Sequence, residues 1–125
     1  MDILTILVLL VVAGLIVYFW NERRRERVSG TVGTSASSWL KRYRASNTCI
    51  TGDRLCRDQK YQEALDQYSR AIELDPQLPV AYNNRGFVYW NLNNYEQAIA
   101  DYSRAIELKP KYAMAYSNRA FAHKA

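Results

Sequence analysis

Apolar positions recur at three- and four-residue spacing in two stretches of this chain. Ala64, Leu65, Tyr68, Ala71, Ile72 and Leu74 form one stripe, which predicts an amphipathic helix over Tyr61–Leu74. The same stripe returns through Ala98, Tyr102 and Ala105 and predicts a second helix over Tyr95–Leu108. Asp75-Pro76 and Lys109-Pro110 end these helices, because proline lacks the donor needed to continue and disfavours a helical residue before it. Each helix is preceded by another apolar-polar segment, near Ser46 to Asp58 and near Val80 to Leu92. Asn93-Asn94 marks the turn inside the second pair. A different pattern opens the chain, where Ile3 to Trp20 runs for eighteen residues without a charge.

The two helical pairs are copies. The heptamer Tyr68 to Leu74 returns unchanged at Tyr102 to Leu108, an offset of 34 residues that also relates Tyr61 to Tyr95, Ala64 to Ala98 and Pro76 to Pro110. Ala81 to Gly86 returns with small changes as Ala115 to Ala120. A fixed period of this length means stacked supersecondary units, none able to bury its apolar face alone. The expected organisation is an anchor with a basic flank over 1–27, a flexible linker and lead-in over 28–44, and a repeat domain over 45–125. The domain divides into units 45–78 and 79–112 and a partial unit 113–125.

The segment Ile3 to Trp20 is long enough to cross the hydrocarbon core of a bilayer, at about 27 Å. Thirteen of its eighteen residues are Leu, Ile, Val or Phe, and Tyr18, Phe19 and Trp20 form an aromatic edge. A signal peptide would need a positive start and a small-x-small cleavage site, whereas Met1-Asp2 precedes the run and aromatics end it. The reading is therefore an uncleaved single-pass anchor in contact with the lipid bilayer. Arg23, Arg24, Arg25 and Arg27 follow the span and none precedes it. The positive-inside rule then puts the N-terminus outside and the repeats on the cytoplasmic side, or its stromal or matrix equivalent. Val28 to Ser38 is small, polar and uncharged, which suits a linker. Trp39 to Arg44 fits either a helical lead-in packed on the first repeat or a contact with headgroups.

Charge sharpens this division. Residues 1–44 carry seven Lys/Arg against three Asp/Glu, and residues 45–125 carry ten against nine. The folded region is nearly neutral, which argues against nucleic acid as a partner. Cys49 and Cys56 are the only cysteines. Seven residues apart on a helix, they lie about 10 Å apart along its axis, too far for a disulfide, so they read as buried or half-buried thiols.

Tyr82, Gly86, Tyr89, Ala98, Tyr102, Ala105 and Pro110 stand at the spacings of the tetratricopeptide (TPR) signature, and the chain resembles that family over about two thirds of its length. The first unit keeps Gly52, Ala64, Tyr68, Ala71 and Pro76 but has Thr48 and Leu55 in place of the aromatics. The resemblance implies an all-α TPR helix-turn-helix solenoid of about two and a half repeats, preceded by one transmembrane helix. It also implies a concave groove, lined by the first helix of each unit, that binds a partner peptide or subunit. Register places Asn83, Asn84, Phe87, Trp90 and Asn91 there from the second unit. The third unit supplies Met114, Ser117, Asn118 and Phe121, and Cys49, Asp53, Cys56 and Arg57 come from the first. Phe87 and Phe121 could instead pack between repeats, while Trp90 lies on a face less easily buried.

No catalytic or cofactor site is expected. His123 is the only histidine, and the carboxylates, scattered among Lys and Arg, read as solvated pairs. Some family members hold the C-terminal carboxylate of heat-shock chaperones in a clamp, and of its positions Cys49, Asp53, Asn84, Met114 and Asn118 only Asn84 matches. Two functions remain: a membrane-tethered adaptor or assembly factor, or a small structural subunit built into a membrane complex. The unfinished third unit leaves Ala113, Tyr116, Ala120, Phe121 and Ala122 to be covered by a homo-oligomer copy, another partner or further chain.

Overall fold

In the computed structural model the chain forms five helices: α1 Ile3–Arg57, α2 Tyr61–Leu74, α3 Pro79–Asn91, α4 Tyr95–Leu108 and α5 Ala113–Lys124. Side chains are described for residues 1–24 and 37–125. The chain divides into two units, Met1–Trp39 and Leu40–Ala125. Of the linker and lead-in expected over 28–44, residues 28–36 lie outside those whose side chains are described, as do Arg25 and Arg27. Residues 37–44, the remainder of the lead-in, are helical within α1.

In the first unit, Ile3–Arg24 is an apolar helix of 22 residues with none of its side chains buried. Arg23 and Arg24 are exposed at its end.

The second unit is the repeat domain. Helix boundaries of α2 and α4 coincide with the stretches expected from periodicity, because both are closed by the same device. Before each, one residue turns left-handed: Gln59 at φ 59° and Asn93 at φ 64°. The chain then folds back so that Lys60 N–H reaches the Leu55 carbonyl at 2.9 Å and Asn94 N–H reaches that of Tyr89 at 2.8 Å. This six-to-one bond satisfies carbonyls left open at a helix end. Between the pairs, the Tyr82 hydroxyl donates to the Pro76 carbonyl at 3.1 Å and Pro79 begins α3, where a missing donor costs nothing.

Two glycines let the helices approach. A Cβ on Gly52 would come within 2.7 Å of the Tyr68 ring, and one on Gly86 within 2.8 Å of the Tyr102 ring. The core follows the copied stripe, with Ala64, Leu65, Tyr68, Ala71, Ala81 and Val88 buried around Cys49, and Ala98, Tyr102 and Ala122 buried further along. α3 packs against α2, α4 and α5, and α4 against α5.

The carboxylates are not all solvated as the sequence suggested. Asp101 is only 6% exposed and takes a two-pronged bond from Arg85, Nε to Oδ2 at 2.7 Å and Nη2 to Oδ1 at 2.8 Å. Sixteen residues separate them, so spacing along one helix could not reveal the pair. Arg85 also bonds Ser69 at 3.3 Å and lies over the rings of Tyr82 and Tyr89. The next repeat keeps half of this arrangement: Arg119 donates to Ser103 at 3.2 Å and stacks on Tyr116.

Candidate functional site

Solenoid stacking places the first helices of the repeats side by side, and their shared face forms a cleft of about 520 Å³. The C-terminal part of α1 contributes Ile50, Asp53, Cys56 and Arg57. α3 contributes Asn83, Asn84 and Phe87, and α5 contributes Met114 and Asn118. Behind them stands Tyr68 of α2. A second, more apolar hollow of about 270 Å³ continues from it, lined by Phe87, Trp90, Tyr102, Asn118 and Phe121.

A line of hydrogen bonds crosses the larger cleft and ties three repeat units together. The Asn118 amide donates to Asn83 Oδ1 at 3.1 Å, and Asn83 donates to Asn84 Oδ1 at 3.1 Å. Asn84 donates to Asp53 Oδ1 at 2.9 Å, and the Tyr68 hydroxyl donates to the same oxygen at 2.5 Å. Cys56 Sγ lies 3.6 Å from that hydroxyl. Burial, with Asp53 and Cys56 as added causes, pushes the Tyr68 phenol far above its ordinary range. Cys49 is pushed up to about 11 by burial and then by Asp53, and burial also raises Cys56. Neither thiol is a ready nucleophile, since reactivity belongs to the thiolate. Both are free.

Most residues assigned to this face from register meet there. Asn84, Phe87, Met114 and Asn118 line the larger cleft, and Trp90 and Phe121 the smaller. Phe87 is 44% exposed and Phe121 65%, and both present ring surface to solvent, as does Trp90 at 38%. Asn83 is 2% exposed and braces its neighbours from behind. Asn91 donates to the Phe87 carbonyl at 2.8 Å, and Ser117 is exposed; neither is among the residues lining these two clefts. In the first unit Asp53, Cys56 and Arg57 take their places, while Cys49 is buried in the core. Ile50 was missed because a β-branched aliphatic gives no signal separating groove from core. The Tyr68 hydroxyl was missed because the ring reads as packing, and only its reach across to Asp53 gives it a polar role.

Residues 52–93 match the family model described as TPR repeat, and residues 79–112 the one described as tetratricopeptide repeat. Solved structures with the same fold include the second TPR of Spaghetti (RPAP3) bound to the HSP90 peptide SRMEEVD. It is 27% identical, with 72% of this chain and 82% of that chain covered and a TM-score of 0.68. The first TPR of the same protein, bound to the same peptide, is 32% identical over 66% of this chain and 65% of that one, with a TM-score of 0.65. The TPR2B domain of yeast Sti1 in its pHsp70 complex is 27% identical over 66% of each chain, with a TM-score of 0.64.

Proposed function

The chain is a tetratricopeptide repeat protein, and from that premise we propose that it is a membrane-anchored adaptor or assembly factor that binds a partner peptide in its groove. The observation that carries this reading is the exposed aromatic trio Phe87, Trp90 and Phe121 beside an amide-lined cleft. Aromatic surface left in water at the centre of a concavity is what a binding hot spot looks like before its partner arrives. Amides alongside suit the carbonyls and N–H groups of an extended chain. Similar domains with HSP90 and Hsp70 peptides bound support a protein partner.

The apolar helix Ile3–Arg24 is the anchor in this reading. Leu, Ile and Val side chains along it are 44–78% exposed, and the hydrophobic effect disfavours that in water over so long a stretch. At about 33 Å it matches a bilayer core. Arg23 and Arg24, with Arg25 and Arg27 in the sequence, put the groove on the cytoplasmic face or its organellar equivalent.

A second reading is a subunit held permanently in a membrane complex, with a further helix, from more of the chain, a partner or a second copy, laid on the exposed Tyr116 and Phe121 of α5.

A crosslinking pull-down from native membranes, with Trp90→Ala as comparison, tests the groove. Recovery of the partner should fall at least tenfold in the variant; equal recovery would remove the groove from the mechanism. Stoichiometric co-purification that survives salt washing would select the permanent subunit over the adaptor.

A further inference from the structure

The polar groups of the groove form a directed chain, and Asp53 sets its direction. A carboxylate accepts hydrogen bonds and does not donate them. Asn84 therefore turns its amide nitrogen to Asp53, at 2.9 Å, which leaves its Oδ1 for the Asn83 nitrogen at 3.1 Å. Asn83 in turn leaves its Oδ1 for Asn118, at 3.1 Å. From the other side Tyr68 spends its only proton on Asp53. Every donor in the chain runs toward the one carboxylate.

The Asp53 end of this chain is purely an acceptor, and the Asn118 end keeps both an acceptor and one amide hydrogen. Asp53 Oδ2 and Asn118 Oδ1 are taken by no other described residue, and both side chains line the cleft. Spare amide hydrogens on Asn84 and Asn118 suit neutral peptide carbonyls, whereas a carboxylate placed among these groups would lie against Asp53. Asp53 is also held rigidly: two bonds fix Oδ1, so its charge cannot swing away from an incoming anion. Arg57, one turn further along α1, is the only cation lining the cleft; it is exposed and forms no ion pair with Asp53 among the described residues.

We infer that the groove selects an extended peptide that places a lysine or arginine side chain against Asp53, with an apolar side chain on the Phe87–Trp90–Phe121 surface. The inference rests on the groove-binding reading above and specifies its ligand. It predicts that an acidic peptide such as the SRMEEVD bound by the similar TPR of Spaghetti (RPAP3) is disfavoured here, because a carboxylate lines the cleft.

The test uses the full chain in detergent micelles and positional-scanning pools of acetylated, amidated heptapeptides, with free SRMEEVD as comparison probe. Wild type should enrich Lys or Arg at one position and an aromatic or aliphatic residue nearby, and should leave SRMEEVD unbound. Asp53→Asn should weaken the best basic peptide about tenfold, the scale of one partly exposed charge pair, while keeping the apolar preference. Arg57→Ala, which removes the cation beside Asp53 in the cleft lining, should bind the basic peptide more tightly than wild type, and weaker binding would overturn the assignment. Enrichment of Asp, Glu or a free carboxyl terminus would overturn the assignment, as would a Lys/Arg preference unchanged in Asp53→Asn. Peptides retained with no charge preference would refute the basic ligand alone, and retention of none would refute the groove reading with it.

Discussion

Gly86→Ala adds one methyl group, and the structure says where it goes. The new Cβ would stand 2.8 and 3.0 Å from two carbons of the Tyr102 ring and 3.2 Å from the Ala98 carbonyl oxygen. Tyr102 is almost wholly buried, so its ring has nowhere to retreat, and the Ala98 oxygen belongs to the backbone of α4. Overpacking of this kind costs about 1–3 kcal/mol. The opposing gain, from replacing glycine by alanine inside a helix, is about 1 kcal/mol. A net loss of up to about 2 kcal/mol follows, which in a domain of this size lowers Tm by up to about 15 °C. Thermal unfolding of the full chain in detergent, followed by near-UV circular dichroism, reads the loss of the packed surroundings of Tyr68 and Tyr102. Gly52→Ala should behave alike, since its Cβ would meet Tyr68 at 2.7 Å, whereas Gly14→Ala, with nothing within 4 Å, should leave the transition unmoved. In a Tyr102→Leu background the Gly86→Ala cost should shrink, the mark of a direct contact. A Gly86→Ala protein as stable as wild type, or more so, would refute the reasoning.

Asp101→Asn should destabilise the domain by about 2–3 kcal/mol in urea titrations, somewhat less than a fully buried pair because Arg85 keeps some contact with water. Removing both partners, as Arg85→Met with Asp101→Leu, should cost less than the single change. Tyr102 is pushed up to about 12 by burial and then by Asp101, so its phenol stays protonated in the folded state above the pH at which it ionises in the unfolded chain. That contribution is complete below about pH 10 and is lost as pH rises toward 12, so stability should fall across that window. Phenolate absorbance should show Tyr68 and Tyr102 ionising only with unfolding. The anchor reading predicts that the full chain stays in membranes through an alkaline carbonate wash and that a form lacking residues 1–24 is released; release of both would count against it.

The repeat was legible because its packing is local and periodic. Tyr68, Ala71, Tyr102 and Ala105 occupy in the structure the stripe that spacing assigns them, and the helices end where proline and the left-handed residues Gln59 and Asn93 require. The groove was legible as a face, since register alone gathers Asn84, Phe87, Met114 and Asn118. What register could not supply was contact between units. Arg85 with Asp101, and Tyr68 with Asp53, join different helices over 16 and 15 residues. Spacing shows only that each is polar or aromatic. Phe87 and Phe121 were ambiguous for a related reason: an aromatic on a first helix can face the next repeat or the cleft, and only the stacking decides.

Partner contact inside the concave cleft is the central claim, and site-specific photo-crosslinking in native membranes tests it most directly. A photoreactive side chain at Met114, which lines the cleft, should give a discrete adduct with the partner. The same group at Glu107, an exposed residue of α4 that does not line the cleft, should give none. Adducts from Glu107 with none from Met114 would contradict the account.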